Sequence, residues 1–170
     1  MIKKIIVIFI FILFIEPTLA KEDTMILKLK DGNVIIELFS DKAPNHVKRF
    51  KQLSKEKKYD GVVFHRVIDG FMAQTGDVEY GNSNLETYDI QRAGTGGSEY
   101  PDLKAEFSNV PHERGTLSMA RSSDPNSANS QFFICFKASP SLDRQYTVFG
   151  KVIQGMEFVD LIKRGEGSNG

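Results

Sequence analysis

Three segments of the chain mix large apolar residues with single polar residues that can donate or accept hydrogen bonds. They are residues 64–77, 115–120 and 130–135. The first contains Arg66 and Gln74, and the third contains Gln131. An arginine within an apolar strand can be a partner in a structural ion pair. Together with two glutamines in similar surroundings, it instead favours a site that binds or acts on a ligand through a fixed positive charge.

Alternation within the first segment predicts how its side chains are arranged. Side chains point to opposite faces of a strand every second residue. We therefore expect Phe64 and Arg66 on one face and His65 on the other. The aromatic residues have a simpler interpretation, because large rings usually fill cores. Phe64, Phe132 and Phe149 are predicted to be core residues.

The common hydrolase and zinc constellations are missing from the sequence. The run 115–119 places Ser118 at the wrong position for a G-x-S-x-G nucleophile elbow. The 3 histidines, His46, His65 and His112, lie far apart, and none forms a pair with the spacing of metal ligands. The sequence therefore predicts no metal site.

Two further features are weak signals for chemistry. Cys135 is the only cysteine and lies within an apolar run, which predicts a buried, inert thiol. A nucleophilic cysteine would need a base and an electropositive, partly open setting. The glycine cluster 94–97 lacks the Lys-Ser/Thr of a phosphate-binding loop, and the polar stretch after it does not predict a helix.

The N-terminus predicts export from the cell. Lys3 and Lys4 precede an apolar run at 5–15, and Ala20 ends a short stretch of small residues. This is the anatomy of a cleavable signal peptide, and the run is too short to span a membrane as a helix. We expect cleavage after Ala20, which leaves residues 21–170 as one domain in the periplasm or outside the cell. The formal net charge of zero argues against binding to nucleic acid.

The elements that must position the polar residues are mostly short strands. Strands are predicted at 25–30, 33–38, 62–67, 71–74, 115–120, 131–136 and 146–152. Asp31-Gly32 predicts a hairpin turn between the first two. Helices are predicted at 41–59, with Pro44 early in the run, and at 156–163. The polar stretch 76–103 is predicted to be loop. Many short strands and few helices indicate a β-barrel or sandwich.

These blocks, in this order, resemble the signature blocks of the cyclophilins. The run 142–152 resembles a fourth block, and 94–97 resembles the glycine loop of that family. The resemblance extends from about Met25 to Lys163, with one added stretch around 78–93. It implies a mainly β fold, a closed eight-stranded antiparallel β-barrel capped by two α-helices. No strand-like run follows Lys163 where the family has its final strand, so we expect either a truncated sequence or a barrel with an open edge.

The resemblance also implies which residues form the site, a groove on the outer face of the barrel. Arg66 corresponds to the catalytic arginine. The proline pocket is implied to consist of Phe71, Met72, Phe133, Leu142 and Tyr146. The residues implied to hold or border the peptide are Gln74, Gly94, Ala120, Arg121, Ser122 and Gln131, with Arg121 acting through its backbone.

Two positions depart from the family pattern. Ser141 stands where some members have a tryptophan that contacts cyclosporin, so weak cyclosporin binding is expected. Tyr146 stands where many members have a histidine, and an aromatic ring with a polar tip can close the same pocket.

The function implied is a peptidyl-prolyl cis–trans isomerase that accelerates the folding of exported proteins. Its partners would be proline-containing polypeptides, and it would need no cofactor. A monomer is expected, with no stable membrane insertion after signal cleavage. The alternative is a chaperone module that holds proline-containing segments with little turnover. A hydrolase that uses Cys135 or a histidine is a third, remote interpretation.

Overall fold

The computed structural model describes residues 23–166. The predicted signal peptide at 1–20 therefore lies outside the described residues. Within residues 23–166, no helix is long and apolar enough to cross a membrane.

Seven antiparallel strands form one curled sheet in the order β1-β2-β7-β5-β6-β4-β3. The strands are β1 (Thr24–Leu29), β2 (Gly32–Leu38), β3 (Arg66–Ile68), β4 (Met72–Thr75), β5 (Thr116–Met119), β6 (Phe132–Cys135) and β7 (Val148–Gln154). Two helices, α1 (Pro44–Lys55) and α2 (Met156–Asp160), accompany the sheet, and a short 3₁₀ helix covers Pro140–Leu142. The mainly β fold expected from the sequence is confirmed, as a curled antiparallel half-barrel with two helices.

The predicted hairpin is present, but its turn differs by one residue. Leu29 pairs with Gly32, so Lys30 and Asp31 form the two-residue connection. Gly32 is needed for another reason: a Cβ at this position would lie 2.5 Å from the ring of Phe158. The glycine therefore lets α2 pack directly onto the start of β2.

Helix α1 is shorter than the predicted range of 41–59. Pro44 occupies the first turn, where its missing N–H costs nothing. Val47, Phe50 and Leu53 are buried, as the three-residue spacing predicted. The Phe50 ring packs edge-on against Phe132 at 5.2 Å between centroids. Helix α1 thus covers one side of the core.

The predicted strand at 62–67 is largely wrong. Only Arg66 and Val67 of that range belong to β3. The main chain of Val63 is bonded to the Gly81 carbonyl and to the Thr75 hydroxyl, which holds it away from a regular ladder. Because alternation does not extend back to residue 64, Phe64 packs against the central core while Arg66 lines the groove described below. The prediction that Phe64 and Arg66 share a face is therefore wrong.

The core lies inside the curled sheet. Phe132 and Phe149 are almost fully buried there, and the half-buried Phe64 packs against the same cluster, so all three predicted aromatics belong to the core. Described residues form no named strand or helix between 76 and 115, which agrees with the predicted loop at 76–103.

The sheet is open between β1 and β3, the two strands at its ends. A cavity of about 690 Å³ lies beside this opening, and residues of β1 and Phe64 line it. After α2 the chain turns toward β3, where the Gly165 N–H donates to the Val67 carbonyl at 2.9 Å. The described residues thus contain seven of the eight strands expected for the closed barrel.

Candidate active site

Strand register brings the predicted polar and aromatic residues into one row. Arg66 on β3 lies opposite Gln74 on β4, and Gln74 lies opposite Phe133 on β6. Directly paired residues of neighbouring strands project from the same face of a sheet. Arg66, Gln74 and Phe133 therefore share the outer face, while their neighbours Val67, Ala73 and Phe132 point into the core.

A narrow slot of about 190 Å³ opens on this outer face. It is lined by Arg66, Phe71, Met72, Gln74, Ala120, Arg121, Phe133, Leu142 and Tyr146. Six of the nine lining residues are apolar or aromatic, and the guanidinium groups of Arg66 and Arg121 and the amide of Gln74 lie among them. Pockets for drug-sized ligands are larger. This slot has the size and character to hold one small apolar ring.

The floor of the slot is held rigidly. The Phe133 ring is 5% exposed. Its outer neighbour is Tyr146, whose ring meets it edge-on with centroids 5.9 Å apart. Behind it lies His112, whose ring is stacked at 6.2 Å between centroids. Aromatic contacts on two sides restrict the rotation of Phe133 and keep the slot open in one shape.

His112 belongs to a Ser-His-Asp arrangement that the sequence did not reveal. Its Nδ1 lies 2.9 Å from Asp143 Oδ1, and its Nε2 lies 3.0 Å from Ser118 Oγ. A serine nucleophile must reach a substrate carbonyl. Ser118 is 0% exposed, and its Oγ also lies 3.0 Å from the Thr147 carbonyl oxygen. The arrangement therefore supports the pocket floor and cannot act as a hydrolase.

A second cavity of about 340 Å³ continues the slot. It is lined by Gln74, Gly94, Thr95, Gly96, Ala120, Arg121, Ser122, Ser127, Asn129 and Gln131. Gln74, Ala120 and Arg121 line both cavities, so the two form one groove. Its polar half offers backbone and amide groups, which suits an extended peptide. All twelve residues that the sequence assigned to the site line this groove.

Arg121 forms the ridge between the two halves. The sequence assigned it only a backbone role, yet its guanidinium lies over the Tyr146 ring, with Cζ 4.4 Å from the ring centroid. The same group donates to the carbonyls of Gln145 and Ser122. It thereby holds Tyr146 over the slot. Thr95, Gly96, Ser127 and Asn129 were not assigned from the sequence, and only the glycine-rich run gave a signal for the first two.

The glycine loop approaches the groove closely. Gly94 has φ of +98°, which side-chain-bearing residues rarely adopt. A Cβ on Gly94 would also lie 2.8 Å from the His65 ring. Both constraints require glycine at this rim position.

The groove carries positive charge from two arginines. Arg66 and Arg121 are the charged residues of the groove, and within residues 23–166 no carboxylate lines either cavity. The same described part of the chain contains no group of three residues able to hold a metal ion. Cys135 is fully buried beneath the slot, and burial raises the pKa of its thiol to about 12. The thiol therefore stays protonated and unreactive at neutral pH.

Comparison with known proteins identifies close relatives. The family described as "Cyclophilin type peptidyl-prolyl cis-trans isomerase/CLD" matches residues 24–170. A protein of Brucella suis named "Probable peptidyl-prolyl cis-trans isomerase" is 61% identical over 150 residues, which cover 88% of this chain and 76% of that protein. A peptidyl-prolyl cis-trans isomerase of Helicobacter pylori is 41% identical over 155 residues, which cover 89% of this chain and 86% of that protein.

Solved structures show the same similarity. A cyclophilin of Hirschia baltica superposes with a TM-score of 0.72 at 27% identity, covering 85% of this chain and 69% of that one. A cyclophilin-type isomerase of Cryptosporidium parvum, crystallised in the presence of the dipeptide Ala-Pro, gives a TM-score of 0.69 at 30% identity. That match covers 82% of this chain and 86% of the other.

Proposed function

This chain belongs to the cyclophilin family of peptidyl-prolyl cis–trans isomerases, and we propose that Arg66 drives its reaction by stabilising the twisted X-Pro bond. The observation that carries this proposal is the row of Arg66, Gln74 and Phe133 across three paired strands. That row places a cation and an amide at the edge of an apolar slot.

The reaction needs only a modest lowering of its energy barrier. Rotation about a peptide bond has a barrier of about 18–20 kcal/mol, because resonance gives the C–N bond partial double-bond character. Uncatalysed X-Pro exchange takes roughly tens to hundreds of seconds. A turnover of about 10²–10³ per second therefore needs the barrier lowered by roughly 5.5–7 kcal/mol. No bond breaks, so no nucleophile is needed.

The apolar slot would hold the prolyl ring in place. Phe71, Met72, Phe133 and Leu142 would enclose the prolyl ring and exclude water. A ring held in this way cannot rotate with the rest of the chain, so rotation is confined to the segment that precedes the proline. A relative was crystallised in the presence of Ala-Pro, which supports the choice of a prolyl ring as occupant.

Arg66 would stabilise the amide once it has twisted. As the amide twists, its resonance is lost, and the prolyl nitrogen becomes pyramidal and gains a lone pair. A guanidinium directed at that nitrogen binds the twisted form better than the planar form, and only such differential binding accelerates the reaction. Gln74 lies 3.4 Å from Arg66 through its Oε1 and would help to fix both the guanidinium and the substrate carbonyl.

The clients are proposed to be exported proteins. The basis is the sequence of residues 1–20, which has the pattern of a cleavable signal peptide. An isomerase in the periplasm or outside the cell would act on polypeptides that fold after export. The test is the intact mass of the protein recovered from the extracytoplasmic fraction, which should begin at Lys21.

Direct turnover separates the enzyme from a chaperone module that only holds proline-containing segments. The measurement is exchange between the cis and trans forms of an Ala-Pro peptide, followed by NMR with and without the protein. A holding module would broaden or shift the peptide signals without increasing the exchange rate. An isomerase would raise the exchange rate at protein concentrations far below that of the peptide.

A further inference from the structure

A buried carboxylate lies behind the glycine loop. Asp77 is 0% exposed, and its two oxygens accept hydrogen bonds from two different segments of the chain. Oδ1 accepts the N–H groups of Glu79 at 3.0 Å and Tyr80 at 2.9 Å. Oδ2 accepts the N–H groups of Gly94 at 2.7 Å and Gly96 at 2.9 Å. One side chain thus joins the end of β4 to a loop that follows about twenty residues later.

These four donors keep Asp77 ionised. Burial alone would raise the pKa of the carboxyl group, but hydrogen bonds from the backbone outweigh burial and lower it. The loop also fits tightly against the carboxylate, because a Cβ on Gly96 would lie 2.6 Å from Asp77 Oδ1. The positions of Gly94 and Gly96 are therefore fixed by Asp77.

The loop carbonyls in turn fix Gln131. Its Nε2 donates to the carbonyl of Gly94 at 3.0 Å and to that of Gly96 at 2.8 Å. A carbonyl can only accept, so the amide of Gln131 must direct its NH₂ group toward the loop and its oxygen toward Gln74. Gln74 Nε2 then donates to Gln131 Oε1 at 2.9 Å.

The orientation of Gln74 in turn determines which of its atoms faces Arg66. With its NH₂ group engaged by Gln131, Gln74 directs its oxygen toward Arg66, whose Nη1 lies 3.4 Å away. If Gln131 were free to flip, Gln74 could flip as well and would then present an NH₂ group to a guanidinium. Two donors would face each other at the centre of the groove, and Arg66 would move. The loop carbonyls thus set the direction of every hydrogen bond in the row.

We propose that Asp77 is a positioning residue for the isomerase reaction: it fixes the glycine loop and, through Gln131 and Gln74, the orientation of Arg66. The inference rests on the proposed role of Arg66. Asp77 itself lies outside the groove and would not contact the substrate. Its effect should appear in kcat more than in KM, because a misdirected guanidinium chiefly loses its contact with the twisted form.

Asp77→Asn is the direct test. The asparagine side chain has nearly the same shape, but one of its two acceptors becomes a donor that faces backbone N–H groups. We expect kcat/KM on an Ala-Pro peptide to fall about tenfold, since small misplacements of a catalytic group have effects of this order or larger. Glu106→Gln is the matched control, because Glu106 also accepts backbone N–H groups, those of Asn45 and His46, and takes no part in the groove. It should lower stability and leave kcat/KM of the folded protein unchanged.

A double-mutant cycle separates positioning from a general structural role. If Asp77 acts through Gln131, then adding Asp77→Asn to Gln131→Ala should change kcat/KM by less than about twofold. Fully additive effects, or Asp77→Asn with parental activity, would overturn the proposal. If Asp77→Asn does not fold, Gly96→Ala replaces it, because the added Cβ must separate the loop from the carboxylate. Parent protein without any isomerase activity would instead refute the proposed function.

Discussion

Arg66→Ala is expected to slow isomerisation about 10- to 150-fold. The guanidinium lies at the wall of an apolar slot, partly buried and 3.4 Å from Gln74. A hydrogen bond that involves a charged group in such a setting contributes about 1.5–3 kcal/mol. At about 1.36 kcal/mol per tenfold change in rate, that range gives the stated loss.

Arg66→Lys tests whether charge alone is sufficient. Lysine keeps the positive charge but presents a single ammonium group on a flexible stem, without the planar fork of arginine. We expect it to recover only part of the rate lost by Arg66→Ala. Arg114→Ala is a control of the same type, because Arg114 forms an ion pair with Asp160 at 2.6 Å and does not line the groove. Its activity should equal that of the parent.

The assay is exchange NMR on an Ala-Pro peptide, with kcat and KM determined separately at a temperature where every variant is folded. A loss confined to kcat is the signature of an interaction made in the transition state. A higher KM at unchanged kcat would show that Arg66 only binds the ground state. Arg66→Ala with parental turnover would refute the proposed mechanism altogether.

Three further outcomes are expected. A thiol-alkylating reagent should leave native activity unchanged, because Cys135 is buried with a thiol pKa raised to about 12; inactivation would contradict this. Burial lowers the pKa of His46 below its ordinary 6.5, so stability should be complete above that pH and fall as the pH drops toward the lowered pKa. The slope is at most about 1.4 kcal/mol per pH unit, and a constant urea midpoint between pH 7.5 and 5.5 would contradict it. Ser141→Trp should strengthen cyclosporin inhibition, and equal inhibition of both forms would show that residue 141 is not the determinant.

Sequence patterns predicted the parts of the fold that depend on local rules. The hairpin of β1 and β2, the amphipathic α1 and the long loop all appear close to their predicted positions. Each has a signal within a few residues: a turn dipeptide, a three-residue apolar spacing or a run without periodicity. The close packing of the Phe158 ring on Gly32 is a long-range contact that these local signals do not contain.

The prediction of a strand at 62–67 was wrong because the hydrogen-bond partners of this backbone are distant in sequence. Val63 bonds to Gly81 and Val62 forms an isolated bridge with Asn82, so the added stretch around 78–93 takes this backbone out of the sheet. Alternation cannot reveal such a partner, because residues 62–65 are apolar enough to suit a strand. The face assigned to Phe64 was wrong for the same reason.

Within the site, the residues that line the groove could be assigned from the resemblance, while those behind it could not. Asp77 and His112 line neither cavity of the groove. They act on groove residues through hydrogen bonds between parts of the chain that are distant in sequence. A buried carboxylate whose partners are backbone N–H groups leaves no trace in sequence spacing. Side chains that act on other side chains can be found only from coordinates.

The rear supports of the groove explain how a reaction without covalent chemistry can be catalysed on this sheet. In the mechanism we propose, a rotated amide is favoured only if the guanidinium of Arg66 and the slot keep their relative position while the substrate moves. One support holds Phe133 from behind through His112 and Asp143, and the other holds Arg66 through the loop fixed by Asp77. Because the first fixes the prolyl ring and the second fixes the cation, loosening either should cost turnover before it costs substrate binding.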